Sequence, residues 1–138
     1  FISIHFNSVE NDPSVRGTET FALTPQFQYS TNDSRHQGDD DTALPGNRMD
    51  PWNTLLGYSV HRHLLGALKT YDRGLKRARF KVLTLLNCPG ILVESGYLSN
   101  TAEGEKINTP AYRTDIAQAI ASGVDAYAAT VAAAERRR

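Results

Sequence analysis

The sequence has a single cysteine, no excess of charge of either sign and no long hydrophobic run. Because Cys88 is alone, an internal disulfide and a metal site built from a cysteine pair are excluded. Fifteen Lys and Arg residues balance fifteen Asp and Glu residues, which argues against nucleic-acid binding through overall charge. No apolar stretch approaches the roughly 20 residues that cross a bilayer, so we expect no membrane span. With 138 residues, 40% of them hydrophobic, the chain can form one compact core, and we expect a single domain.

Several common active-site patterns are also missing. Val93 stands two positions before Ser95, where a G-x-S-x-G nucleophile motif needs glycine, so a serine hydrolase is not expected. The acidic run at residues 39–41 lacks the glycine and the distal glutamate of an EF-hand loop. His61 and His63 are two residues apart on a predicted helix and point roughly 200° away from each other, so we expect surface or packing roles for both.

Hydrophobic periodicity divides the chain into predicted strands, helices and one long loop. Strands are predicted at residues 1–6, 17–23, 80–86 and 91–96. Helices are predicted after two cap-plus-proline pairs, Asp50-Pro51 and Thr109-Pro110. The polar composition of residues 24–47 is typical of a surface loop. The alternation of strands and helices predicts an α/β domain with a twisted, mainly parallel or mixed sheet that is covered by helices.

Two of the predicted strands each carry one side chain that can bind a metal or transfer a proton. His5 lies between apolar residues in the first strand, and Glu94 lies near the end of an apolar run. A carboxylate in such a run is costly unless it has a partner or a function, and α/β proteins place their sites at strand ends. Asn7 follows His5 by two residues and shares its face of the strand, so it could orient a substrate or the groups around a metal.

Each of these residues also has a structural interpretation. His5 could be a core histidine that bonds to the backbone, and Glu94 could pair with Arg73 or Arg79. Asn7 could simply form the turn at the end of its strand. The residues by themselves leave both interpretations open.

Four segments, at residues 3–8, 16–21, 72–80 and 92–100, carry a resemblance to a known family. Their order and sequence resemble the zinc-dependent N-acetylmuramoyl-L-alanine amidases of bacterial cell walls, often called amidase 3. The resemblance implies a twisted sheet with helices on its faces, and it implies that His5 is one zinc ligand and Glu94 the catalytic glutamate. It also implies that the first strand and helix of the fold, with the other two zinc ligands, precede Phe1, so that residues 1–138 are the C-terminal major part of a catalytic domain.

The same resemblance implies the substrate and the setting. The expected reaction is hydrolysis of the amide between N-acetylmuramic acid and the L-alanine of the peptidoglycan stem peptide, in the periplasm or cell wall, with a regulatory protein as a further partner of the parent protein. With one zinc ligand, the chain by itself should bind zinc weakly and be inactive. Two alternatives remain: a catalytically inactive wall-binding or regulatory domain, and another zinc amidohydrolase or exopeptidase.

Overall fold

The computed structural model describes residues 1–31 and 41–137, and within them the chain forms four strands and four α-helices. The elements are β1 (Ile2–Asn7), β2 (Thr18–Leu23), α1 (Asp50–Leu68), β3 (Asp72–Ala78), α2 (Lys81–Thr84), β4 (Ile91–Tyr97), α3 (Thr101–Ile107) and α4 (Pro110–Glu135). A short 3-10 helix, Pro45–Met49, leads into α1.

The four strands form one mixed sheet in the order β1-β4-β2-β3. A mainly parallel or mixed sheet was predicted from the sequence, whereas the strand order was not. β1 is parallel to β4 and β2 is parallel to β3, whereas β4 and β2 are antiparallel. The ends of β1 and β4 therefore lie at the same edge of the sheet as the beginnings of β2 and β3. This edge carries the candidate site.

Helices α1 and α4 cover one face of the sheet and form the larger core with it. The buried residues of this core are Leu56, Val60, Leu64, Ile91, Val93, Ile116, Ala119 and Ile120. The two helices touch closely at Gly123, where an added Cβ would lie 2.5 Å from the Cα of Val60. Since side chains alternate along a strand, Leu92 and Glu94 belong to the other face. A smaller apolar cluster on that face contains Phe21, Leu23, Ala78, Leu83 and Leu92.

Both predicted helices begin at their cap-plus-proline pairs, but the prediction that Asp50 is a cap is wrong, because Asp50 is the first residue of α1 and Met49 is the N-cap, without a side-chain cap bond. Thr109 caps α4, because its hydroxyl accepts a hydrogen bond from the backbone N–H of Tyr112. Helix α1 starts at Asp50 and ends at Leu68, where Lys69 adopts a left-handed conformation (φ 51°). The predicted strands at 1–6, 17–23 and 91–96 correspond to β1, β2 and β4.

The predicted strand at residues 80–86 is wrong. This run contains the one-turn helix α2, with Leu83 buried while Val82 and Leu85 are exposed. The fourth strand is instead Asp72–Ala78, whose sequence DRGLKRA is mostly polar. An edge strand is commonly protected by charged side chains, so it lacks the apolar alternation by which strands are recognised.

The long polar loop and the expected absence of a membrane span are two further predictions from the sequence. Residues 32–40 of the long polar loop lie outside the described residues, as do the first two aspartates of the acidic run. Helix α4 is long and apolar enough to cross a membrane, judged by length and composition only, and one of its faces packs against α1. The absence of a membrane span therefore stays a prediction.

Candidate functional site

His5 and Glu94 lie side by side in the sheet. They are direct partners in the parallel register of β1 and β4. Neighbouring strands are about 4.8 Å apart, and residues in register point to the same face. The expected approach of the two residues across 89 positions of sequence is thus confirmed as a fact of geometry, while their chemical roles are not tested by it.

Glu94 is a partly buried carboxyl group with a raised pKa. Burial, followed by repulsion from Glu19, raises the pKa of Glu94 to about 7. Its Oε2 atom is buried and has no hydrogen-bond partner among the described residues. Arg73 pairs with Glu19, and Arg79 bonds to the carbonyl oxygens of Pro25 and Gln28, so neither supports the interpretation that Glu94 is an arginine partner.

Glu19 is the functional-site residue that sequence reasoning missed. It is the register partner of Glu94 on β2 and is 3% exposed. Its carboxylate accepts hydrogen bonds from Asn7 Nδ2 (2.9 Å), Tyr97 OH (3.0 Å), Arg73 Nε (3.2 Å) and Lys76 Nζ.

These partners keep Glu19 ionised. Burial alone raises the pKa of Glu19, but the hydrogen bonds from Lys76 and Tyr97, the charge of Lys76 and the bond from Arg73 together lower it below its ordinary value. Two carboxylates thus lie on adjacent strands with opposite tendencies. Glu19 stays charged, and its charge helps to keep Glu94 protonated.

His5 is exposed within the described residues, which does not support the interpretation that it is a core histidine. Its Nε2 atom lies 2.9 Å from the hydroxyl of Ser3, on the same face of β1. The described residues contain no group of three or more His, Cys, Asp or Glu side chains that could hold a metal ion. Any metal that His5 binds would therefore need donors beyond the described part of the chain.

Asn7 belongs to the network around Glu19. Its Nδ2 donates to Glu19 Oε1, while its Oδ1 accepts from the backbone N–H of Ser8 at 2.8 Å. The second contact is a local hydrogen bond at the end of β1, and it is compatible with the interpretation of Asn7 as a turn former. A contact with substrate remains a prediction.

The two helix histidines have the packing roles expected of them. His61 is buried between sheet and helix, with Nδ1 3.0 Å from Thr20 Oγ1 and Nε2 2.9 Å from Asp72 Oδ1. His63 instead contacts the carbonyl oxygen of Ser59 through Nδ1 at 2.7 Å. The different partners show that the two rings do not share one site.

Glu103 of α3 fixes the backbone at the edge of the sheet that carries the site. Its Oε1 accepts from the N–H of Gly17 at 2.9 Å, and its Oε2 accepts from the N–H of Tyr97 at 2.8 Å. Asn100 in turn caps α3 by accepting from the N–H of Glu103. The start of β2 and the end of β4 are held together by one carboxylate.

The fold and these contacts define an α/β protein with a polar, carboxylate-rich site at one edge of a mixed sheet. Residues 1–126 match the family model described as N-acetylmuramoyl-L-alanine amidase, and the chain belongs to this family.

Individual proteins that are similar to this chain are also N-acetylmuramoyl-L-alanine amidases. The chain is 35% identical over 148 aligned residues to N-acetylmuramoyl-L-alanine amidase AmiA of Escherichia coli, and the match covers 92% of this chain and 51% of AmiA. It is 33% identical to AmiC of Neisseria meningitidis, with coverages of 92% and 35%. Among solved structures, AmiC2 of Nostoc punctiforme superposes with a TM-score of 0.69 at 30% identity, covering 92% of this chain and 56% of AmiC2. The chain thus spans about half the length of AmiA and of AmiC2.

Proposed function

We propose that this chain supplies His5 and Glu94 to the active site of a zinc-dependent peptidoglycan amidase. The reaction is hydrolysis of the amide between N-acetylmuramic acid and the L-alanine of the stem peptide. The observation that supports this proposal most strongly is the in-register pairing of His5 with a carboxyl group whose buried oxygen lacks a described partner. The family supplies the substrate, and with it an extracytoplasmic location.

The side chains present fit part of a zinc site. A neutral imidazole is a common zinc ligand, and a histidine ligand usually has its second ring nitrogen held by a neighbouring group. The hydroxyl of Ser3 is placed to hold Nε2 of His5, so Nδ1 of His5 would be the atom that binds zinc. A catalytic zinc site uses about three protein ligands, so the proposal needs further ligands from outside the described residues.

Glu94 is proposed to transfer the protons of the reaction. When bound, zinc would polarise the scissile carbonyl and activate a water molecule as the nucleophile. Glu94 accepts a proton from the attacking water and then delivers it to the leaving amine of L-alanine. The raised pKa of Glu94 describes the metal-free protein, and the charge of a bound zinc ion would lower it, which would favour the ionised form that accepts the first proton. Glu19 remains charged and holds Asn7 and Tyr97 in place beside it.

Product analysis on purified peptidoglycan tests the reaction. The full-length protein should release stem peptides with a new amino terminus at L-alanine, and a chelator should stop the release until zinc is restored. Release of peptides cut at any other bond would contradict the amidase assignment and favour another amidohydrolase or an exopeptidase.

A catalytically inactive wall-binding or regulatory domain is the second candidate. It is favoured by one observation, namely that the described residues do not include a complete set of metal ligands. Binding to peptidoglycan without any release of peptide, by the full-length protein in the presence of excess zinc, would support it over the enzyme.

A further inference from the structure

Two hollows lie where β2 and β3 begin, and both are lined by Arg16 and Tyr71. The first, of about 430 Å³, is completed by Ser14, Val15 and Arg73. The second, of about 390 Å³, extends towards α3 and α4, and two of its lining residues are Lys69 and Lys106. The two hollows share Arg16 and Tyr71, and we call them together the Arg16 groove.

The Arg16 groove has more positive charge than its own acidic groups neutralise. Arg16, Lys69 and Lys106 are exposed, and none of them forms an ion pair with a residue in the described ranges 1–31 and 41–137. Glu103 also lines the groove, but its two oxygens already accept the backbone N–H groups of Gly17 and Tyr97. The groove is therefore suited to an anionic ligand.

Gly17 is the reason that Arg16 lies beside Tyr71 and Arg73. It adopts a φ of 112°, and an added Cβ would lie 2.4 Å from the carbonyl oxygen of Tyr71 and 3.1 Å from Cγ of Arg73. The backbone N–H of Thr18 also donates to Tyr71 O at 2.9 Å. Only a residue without a side chain allows the two segments to approach this closely.

Arg73 connects the groove with the candidate active site. Its Nε donates to Glu19, and its guanidinium lies 5.1 Å from the centre of the Tyr97 ring. Glu19 is in turn the register partner of Glu94. Two strand spacings, or about 10 Å, thus separate the backbone of Arg73 from that of Glu94.

We infer that the Arg16 groove binds a carboxylate on the peptide part of the substrate. The planar guanidinium of Arg16 matches the geometry of a carboxylate, and Arg73 borders the same hollow. An extended peptide advances about 3.3 to 3.6 Å per residue, so a peptide cut beside Glu94 would bring its second or third residue to the groove. This inference rests on the proposed function, because it takes the position of the scissile amide from it.

Binding of two muramoyl tripeptides tests the inference. One has free peptide carboxylates and the other has all of them converted to carboxamides. Both are titrated by NMR into the full-length protein in the presence of a chelator, so that no hydrolysis interferes. At low ionic strength the free-carboxylate peptide should bind about tenfold more tightly, and added salt should reduce this preference.

Arg16→Gln should remove most of the preference without harming the fold, since Arg16 is exposed. The matched control is Arg48→Gln. Arg48 is an exposed residue of the 3-10 helix, and this helix packs near Leu23 at the far end of β2. Equal binding of the two peptides by the unchanged protein, no saturable binding of the free-carboxylate peptide, or an equal loss in both variants would each overturn the inference. If the protein prefers the free-carboxylate peptide but does not cleave the muramoyl amide, the proposed function is refuted, while carboxylate binding in the Arg16 groove is still supported.

Discussion

Replacing Glu94 by glutamine should stabilise the metal-free protein at alkaline pH. The pKa of Glu94 in the folded protein is about 7, against an ordinary value of 4.5. Because the folded state holds this proton more tightly than the unfolded state, stability is full below the ordinary pKa and is lost as pH rises through the folded value. Glutamine cannot ionise, so the variant does not suffer this loss.

The size of the effect follows from the shift. A displacement from 4.5 to about 7 corresponds to an upper limit of about 3 kcal/mol, at 1.36 kcal/mol for each pH unit. Glu94 is partly accessible to solvent, whose screening reduces the expected gain to about 1 kcal/mol. For a domain of this size, that gain would raise the melting temperature by about 4 °C.

Thermal unfolding followed by circular dichroism, with a chelator present, measures the effect. The variant should melt higher than the unchanged protein at about pH 8 and together with it at about pH 4. Glu105→Gln, at an exposed position of α3, is the control and should show no such divergence. Two results would refute this explanation of the raised pKa of Glu94. One is a Glu94→Gln variant that melts lower than the unchanged protein at alkaline pH, and the other is a difference in melting temperature that is the same at every pH.

Three further substitutions, and one control at an exposed position, test the framework of the fold. Gly17→Ala should destabilise the fold by about 2 kcal/mol in denaturant titration, because the new Cβ would collide with Tyr71 O at a strained φ; unchanged stability would contradict the close approach. Glu19→Gln should lower the free energy of unfolding by about 3 kcal/mol near neutral pH, because two basic partners lose their carboxylate. The difference in stability between variant and unchanged protein should become smaller in acid, because the pKa of Glu19 is lowered in the folded protein and the stability that its charge contributes is lost as pH falls. Leu64→Ala in the larger core should cost about 2–5 kcal/mol, whereas Leu85→Ala at an exposed position should change stability by no more than about 0.5 kcal/mol.

The sequence was informative where a motif coincided with regular periodicity. Apolar residues around His5 and before Glu94 predicted two strands, the second of them buried. Because α/β folds place their sites at strand ends, the approach of the two residues could be foreseen. The structural facts that could not be foreseen are the direct register of the two residues and the antiparallel placement of β2 next to β4.

Glu19 was missed because its four partners come from three different strands of the sheet. Its position two residues before Phe21 does place it on the face of a buried strand, which is the one signal in the sequence. The polar strand β3, which supplies Arg73 and Lys76, was itself not recognised. Without that strand, a buried charge on β2 has no visible reason to be there.

The most direct test of the central claim compares Glu94→Gln with His5→Ala in the full-length protein, with hydrolysis rate and zinc content measured on the same samples. Glu94→Gln should keep its zinc and lose about 10²- to 10⁴-fold in rate, the usual contribution of a general acid-base group. His5→Ala should lose zinc and activity together. A Glu94→Gln rate within a few-fold of that of the unchanged protein at full zinc occupancy, or full zinc retention by His5→Ala, would contradict the roles proposed for these two neighbouring side chains.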